Sequence, residues 1–91
     1  MLSSVTDNPA LHRFEMAVDG HLAIAVYRRT QGMVTFLHTE VPAALGGRGI
    51  ASALIKGALD LIRARGEKVA SHCGFTTAYL NKHPEYRNLL A

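Results

Sequence analysis

A glycine-rich turn between a predicted strand and a long apolar helix constrains this chain more than any other segment. Residues 45–54 read Leu-Gly-Gly-Arg-Gly-Ile-Ala-Ser-Ala-Leu. Glycine lets the backbone turn tightly and approach a ligand closely, because no Cβ stands in the way. The first N–H groups of the following helix are free, and the positive end of its dipole favours an anion. The segment therefore predicts a turn that binds a pyrophosphate.

Neither of two common phosphate-binding motifs fits this turn. A Walker A loop continues with Lys-Ser or Lys-Thr, and no such pair follows these glycines. A dinucleotide fingerprint needs a third glycine where this chain has Ser52, and it follows the first strand of a βαβ unit. A plain surface loop is the remaining alternative. The strand predicted over residues 35–42, which ends at Pro42 and leads into the turn, favours the binding turn.

Hydrophobic periodicity predicts three strands before the turn. Apolar and polar residues alternate over residues 12–18, which indicates a half-buried strand. Asp19 and Gly20 then form a two-residue hairpin signal. Residues 22–27 are apolar on both faces, which predicts a strand covered on two sides. After a further turn, residues 33–41 form the third strand.

A long helix and two shorter elements follow. The helix is predicted from about residue 49 to residue 65, with Gly66 as its C-terminal glycine. Its sheet-facing residues recur at helical spacing: Ile50, Leu54, Ala58, Leu61 and Ile62. Residues 68–73 read as a fourth strand, which pairs parallel to the third through a right-handed crossover. Residues 76–83 form a second helix that stops before Pro84.

These elements give an α/β fold of order β-β-β-α-β-α with a mixed, mostly antiparallel sheet. A chain of 91 residues makes one domain with a modest core. We assign it to residues 10–91, after a flexible lead-in over residues 1–9.

The composition and charge of the chain limit the kinds of ligand and the compartment that we expect. A net charge of +3 suits a small polyanionic ligand and is too mild for nucleic acid. No apolar run is long enough to span a membrane, and the first residues lack the pattern of a secretory signal. The single cysteine forms no internal disulfide, and the five histidines show no zinc-ligand spacing. We therefore expect a cytoplasmic protein without a metal, as a monomer or weak dimer.

The strand, turn and helix resemble the acetyl-coenzyme A motif of the GNAT superfamily of N-acetyltransferases, [Q/R]-x-x-G-x-[G/A]. Gly49 and Ala51 match its last two positions, whereas Gly46 stands where Gln or Arg is usual. The chain is most similar to the very small GNAT-like domains. Those carry His-Thr-Glu-Val-Pro before the turn, a cysteine after the next strand and a late His-Pro-Glu-Tyr. Here these are residues 38–42, Cys73 and residues 83–86.

The resemblance implies an acetyl-coenzyme A site where the third and fourth strands splay apart. The pantetheine arm would pair with free backbone groups of Thr39, Glu40 and Val41. The pyrophosphate would be held by the turn: Gly46, Gly47, Arg48, Gly49, Ile50, Ala51 and Ser52. The predicted order matches the central part of the GNAT fold, without the helices and last strands that normally wall the acceptor site.

Amine acetylation needs a base for the incoming ammonium and an acid for the departing thiolate. Glu40 lies at the strand end where many GNAT members place a catalytic carboxylate. His38 lies two residues earlier on the same face, and an imidazole can act as a base near neutral pH, directly or through water. A surface carboxylate and a structural histidine are the alternatives for these two residues.

Cys73 is the second candidate centre. It ends the fourth predicted strand before a helix N-terminus, which lowers a thiol pKa. In the GNAT arrangement it lies near the thioester, as acyl acceptor or as a group that positions the acetyl carbonyl. A small buried hydrophobe is the alternative. His72 adjoins Cys73, but strand neighbours face opposite ways.

The last helix offers further candidates. Tyr79 lies near where GNAT enzymes often have a tyrosine acid. Asn81, Lys82 and His83 could meet the pantetheine or the 3′-phosphate, or could simply be polar residues at a helix end. Residues 83–86 are interpreted as a structural stop with an aromatic anchor.

The function that follows is an acetyl-coenzyme A-dependent N-acetyltransferase acting on an amine of an unknown acceptor. A non-catalytic coenzyme A-binding module and a protein-interaction domain that has lost the ligand are the alternatives.

Overall fold

A computed structural model describes residues 5–91. A five-stranded sheet runs in sequence order: β1 (Thr6–Asn8), β2 (Arg13–Val18), β3 (His21–Thr30), β4 (Met33–Glu40) and β5 (Lys68–Ser71). The first four strands are antiparallel, and β5 pairs parallel to β4. The helices are α1 (Ile50–Ala64) and α2 (Gly74–Lys82), with 3₁₀ turns at Pro9–Leu11, Ala43–Leu45 and Pro84–Leu89. The predicted α/β class and crossover are confirmed.

The β2–β3 hairpin follows from two residues. Asp19 and Gly20 have φ angles of 50° and 78°. Positive φ at both central positions matches the right-handed twist of the two strands, and Asp-Gly suits it well. The predicted turn is confirmed.

The core lies between one face of the sheet and α1. On β3, Ala23, Ala25 and Tyr27 are buried against it, whereas Leu22 on the other face is 41% exposed. The prediction that β3 is covered on two sides is wrong, because within residues 5–91 the second face stays open and its apolar side chains remain in part exposed. No helix in the described range is long and apolar enough to cross a membrane.

Helix α1 buries a wider face than predicted. Its buried residues are Ile50, Leu54, Ile55, Ala58, Leu59 and Ile62. Leu61, which was assigned to this face, is only partly buried. At the C-terminus Gly66 has a φ of 71°, its amide donates to Arg63, and the Glu67 amide donates to Ile62. These two bonds form a Schellman motif, so the predicted glycine end is confirmed.

One extra residue interrupts the pairing of β4 with β3. Tyr27 pairs with Phe36 and Val26 pairs with His38, so Leu37 is left without a partner on β3. This β-bulge shifts the side-chain alternation by one position. Phe36 faces α1 before the bulge, and Thr39, opposite the buried Ala25, faces the same side after it.

The flexible lead-in predicted over residues 1–9 is wrong where the structure describes it. Thr6–Asn8 forms β1, which pairs with β2 along the edge of the sheet, while residues 1–4 lie outside the described range. The Asp7 side chain is only 3% exposed. It accepts hydrogen bonds from the Tyr27 hydroxyl at 2.5 Å, from Arg65 at 2.5 Å and from Arg29 at 3.1 Å. Periodicity could not reveal this strand, because a buried carboxylate rather than an apolar stripe holds it.

We predict that Asp7→Asn lowers the free energy of unfolding by about 2 kcal/mol, because two arginines lose their shared buried carboxylate. Asp19→Asn is the matched control. Asp19 pairs with Arg48 at 2.7 Å, but its side chain is 66% exposed, so its loss costs less than about 1 kcal/mol. Denaturant unfolding at neutral pH measures both changes, and equal effects would contradict the role of Asp7.

The same variant has a pH signature. Burial raises the pKa of Asp7, but hydrogen bonds from Tyr27, Arg65 and Arg29 outweigh burial, and the pKa is lowered from 3.8. A depressed folded-state pKa stabilises the fold above the ordinary carboxylate pKa, and this contribution is lost as the pH falls through the folded value. The stability difference between wild type and Asp7→Asn should therefore shrink below about pH 4. A constant difference would show that charge is not its cause.

Candidate active site

The glycine turn presents backbone donors at the start of α1. Gly47 and Gly49 have φ angles of 76° and 71°, and Gly49 is the N-cap residue. No side-chain cap bond and no acidic residue occupies the first helical turn. Among residues 5–91, the amides from Gly47 to Ser52 have no hydrogen-bond acceptor. The turn thus has free N–H groups at the positive end of a fifteen-residue helix, which suits an anion.

Arg48 points to the β2–β3 hairpin. Its guanidinium donates to Asp19 at 2.7 Å, and the two side chains are 49% and 66% exposed. An exposed pair of this kind is worth at most about 1 kcal/mol. An anion bound at the turn can therefore compete with Asp19 for this arginine.

The gap between β4 and β5 opens where β5 ends. The parallel ladder reaches Phe36 and Ser71, and the His72 amide donates to the Phe36 carbonyl at 2.8 Å. From Leu37 to Glu40, β4 has no strand partner on that side in the part of the chain that the structure describes. Val41 follows, partly buried against the core. The strand end therefore carries an open edge that an extended ligand can pair with.

Cys73 lies beside this gap, although not as the last residue of a strand. The fourth predicted strand was placed two residues too far, because β5 ends at Ser71 and Cys73 is the N-cap residue of α2. The Ser71 hydroxyl lies 3.2 Å from the Cys73 amide and 3.0 Å from its carbonyl oxygen. Ser71 therefore fixes the turn that carries the thiol.

The thiol faces β4. Cys73 Sγ lies 3.5 Å from Thr39 Oγ1, and Cys73 is 7% exposed. Burial raises its pKa, but the Thr39 hydroxyl, the amide and hydroxyl of Thr76 and the Phe75 amide together outweigh burial, so the pKa is lowered. The two amides act as dipoles, since Sγ forms no cap hydrogen bond of ordinary geometry.

His38 and Glu40 lie together on the opposite side of β4. His38 Nε2 is 2.8 Å from Glu40 Oε2, and their side chains are 55% and 64% exposed. They pair with Val26 and Ile24 of β3, whose side chains are outside the core. The shared face is as the spacing predicts, but the pair does not meet Cys73, which lies on the helix side.

A shallow cavity of about 100 Å³ lies between the first turn of α1 and one face of α2. Its lining residues are Ser52, Phe75, Ala78, Tyr79, Lys82 and His83. Ser52, Tyr79, Lys82 and His83 were candidates from sequence, and the cavity brings these four together. Asn81 is exposed and is not among the lining residues. Residues 75, 78, 79 and 82 lie on one face of α2. The sequence did not reveal this face, because it predicts a helix that starts at residue 76, whereas α2 begins at Gly74.

Tyr79 stacks on His83, the residue that follows α2. The two ring centroids are 3.8 Å apart, and the Tyr79 carbonyl lies 2.8 Å from His83 Nδ1. Burial raises the pKa of the Tyr79 phenol, so it stays protonated at neutral pH. In this state the phenol has a proton that it can donate.

The segment after α2 is structural, as predicted. Tyr86 is 3% exposed, and its hydroxyl donates to Asp60 at 2.8 Å. The Arg63 guanidinium lies over the Tyr86 ring at 4.7 Å. Pro84 begins the last 3₁₀ turn at the end of α2, which suits a residue that cannot continue a helix.

Comparison with known proteins agrees with this geometry. Residues 13–89 match the family model of GCN5-related N-acetyltransferases. NATD1 proteins from chicken and human are each 40% identical over 52 residues, which is 57% of this chain. That segment spans 47% of the chicken protein and 46% of the human one.

The fold is also similar to the NMR structure of a Staphylococcus aureus protein described as GCN5-like. The TM-score is 0.73 at 24% identity, over 97% of this chain and 87% of the other. With the family match over most of its length, the chain belongs to the GCN5-related N-acetyltransferase family.

Proposed function

We propose that this domain binds acetyl-coenzyme A and transfers its acetyl group to an amine. The observation that carries the proposal is the free amide donors from Gly47 to Ser52 beside the open edge of β4. Coenzyme A contains a group suited to each of these features. The amides of the turn would bind its pyrophosphate, and the open edge of β4 would pair with its amide-containing pantetheine arm. The acceptor amine is not identified by these features.

The residues present suit this substrate. The amides of the turn would hold the pyrophosphate, and Arg48 would add a charge by exchanging its exposed partner Asp19. The free edge from Thr39 to Val41 would pair with the pantetheine arm. Lys82 lies at the cavity beside Ser52, which places a cation near the first turn of α1 for a further phosphate.

The base and the acid of the reaction would lie on opposite sides of β4. Glu40 on the open side would take the proton of the incoming ammonium, directly or through His38 at 2.8 Å. The coenzyme A thiolate that leaves on the helix side would be protonated there, for which the phenol of Tyr79 is available. Holding both reactants at one strand end supplies the proximity that direct transfer requires.

A covalent route is the alternative within the same site. Cys73 would attack the acetyl carbonyl, the bond to coenzyme A would break, and the coenzyme A thiolate would leave and take up a proton. The acetyl group on Cys73 would then pass to the amine. We favour direct transfer, because it is what the resemblance to GNAT enzymes implies and because the open strand end can hold both reactants in line.

We predict that Gly49→Val abolishes coenzyme A binding, because a side chain at a φ of 71° distorts the turn that presents the amides. Gly32→Val is the matched control, since Gly32 also has a left-handed φ, of 70°, with open space around it, and lies far along the chain in the β3–β4 hairpin. Calorimetric titration with coenzyme A measures both. Unchanged affinity in Gly49→Val, or equal loss in Gly32→Val, would contradict the assignment.

Arg48→Ala should have a milder effect, with an affinity loss of about threefold to tenfold and a weaker salt dependence. The backbone donors remain in this variant. A complete loss of binding would mean that the side chain, rather than the turn, holds the ligand.

For the chemical step, we predict that Glu40→Gln lowers turnover about 100-fold or more, whereas Cys73→Ala keeps much of it. Glu15→Gln is the control, because Glu15 lies on β2, two strands away from β4, and pairs with Arg13 at 2.7 Å. Release of the coenzyme A thiol in the presence of mixed cell extract measures turnover.

The intact mass of the protein after incubation with acetyl-coenzyme A distinguishes direct transfer from the covalent route. One acetyl group that hydroxylamine removes and that chases into product faster than turnover would establish the covalent route. Tight coenzyme A binding without turnover on any amine tested would favour a non-catalytic binding module instead.

A further inference from the structure

Thr76 contains a buried hydroxyl with nothing to bond to. The residue is 0% exposed, and Oγ1 has no hydrogen-bond partner within residues 5–91. A threonine in a helix can donate its hydroxyl to the carbonyl four residues earlier, which for Thr76 is that of His72, before the helix begins. That bond is absent from the described chain. A buried polar atom without a partner costs free energy, so its retention calls for a reason.

The position of Thr76 relative to Cys73 supplies a reason. Cys73 is the N-cap residue of α2, so Thr76 is the third residue of the helix, whose amide and side chain turn back toward the cap. The Thr76 hydroxyl is one of the groups that lower the thiol pKa, although it makes no bond of ordinary geometry to the sulfur. Thr76 lies three residues after Cys73 in the first turn of α2, and its hydroxyl has no acceptor within residues 5–91.

We propose that Thr76 is a positioning residue for Cys73: its buried hydroxyl, together with that of Thr39 on β4, donates to the sulfur when the thiol ionises. The Thr39 hydroxyl lies 3.5 Å from Sγ on the β4 side, and Thr76 belongs to α2, whose N-cap residue is Cys73. Loss of the thiol proton turns a weak donor into a strong acceptor, and the unpartnered hydroxyl then gains the hydrogen bond that it lacks.

The surroundings of the sulfur fit an anion held by dipoles. In the described chain, the groups that lower its pKa most are the Thr39 hydroxyl, the hydroxyl and amide of Thr76, and the Phe75 amide. None of these groups carries a charge. Such a thiolate would react with a thioester or another soft electrophile, which goes beyond direct transfer because direct transfer needs no ionised cysteine.

The 91-residue chain allows a direct test without acetyl-coenzyme A. It has one cysteine, so the ultraviolet absorbance of the thiolate reports Cys73 alone, with Cys73→Ser as the blank. The three tyrosines do not interfere. Burial and the hydrogen bond to Asp7 raise the pKa of Tyr27 to about 12, and burial raises those of Tyr79 and Tyr86.

We expect the Cys73 thiol to ionise at a higher pH in Thr76→Val than in wild type. In Thr76→Ser, which keeps the hydroxyl, the thiol should ionise at a pH close to that of wild type. Alkylation by iodoacetamide at neutral pH should be about threefold to tenfold slower in Thr76→Val. Thr35→Val is the control, because Thr35 is 4% exposed in β4 and is not among the groups acting on the thiol.

Stability separates this role from a structural one. Removing an unsatisfied buried hydroxyl should leave the melting temperature of Thr76→Val unchanged or raise it, while the thiol becomes harder to ionise. An unchanged titration in Thr76→Val, or an equal shift in Thr76→Ser, would overturn the proposal. If Thr76→Val does not fold, Thr39→Val tests the second donor, with the same upward shift expected. Failure here would not affect the proposed acetyl transfer, because no acetyl-coenzyme A takes part.

Discussion

The extra residue in β4 decides how the end of that strand is used. Because Leu37 is bulged, the residues that face α1 change from even to odd numbers along the strand. Without the bulge, His38 and Glu40 would point into the helix side and Thr39 would point out. With it, two titratable side chains stay in solvent, and a hydroxyl meets the thiol of Cys73. Bulges near functional sites re-aim side chains in this way.

Two helix N-termini converge near the same strand end. The N-terminus of α1 presents free amides because its cap is a glycine with no side chain to occupy them. The N-terminus of α2 instead has a cysteine in the cap position, so its dipole acts on sulfur. The N-terminus of α1 is thus suited to the anion of a ligand, and that of α2 to the thiolate of Cys73. This division follows from the residue at each cap and from nothing else in the helices.

Polar anchors compensate for the small core of a domain this size. Asp7 ties β1 to β3 and α1 through Tyr27, Arg29 and Arg65. At the other end, Tyr86 fastens the last turn to Asp60 of α1, and the Ala91 amide donates to the Val69 carbonyl at 3.0 Å. Both ends of the described chain are therefore fixed to the same sheet-and-helix unit, which holds the two edges of the sheet in place.

The sequence by itself determined the elements whose information is local. The Asp-Gly hairpin, the glycine turn, the amphipathic α1 and its glycine end each depend on residues within a few positions of one another, and the order of these elements fixed the fold. The shared face of His38 and Glu40 also followed, because a strand alternates with period two. Tertiary structure decided which face that was, since a bulge depends on pairing with β3. It also decided the strand held by Asp7, the meeting of Thr39 with Cys73 and the orphaned hydroxyl of Thr76. These depend on side chains from separate elements that come together only when the chain packs.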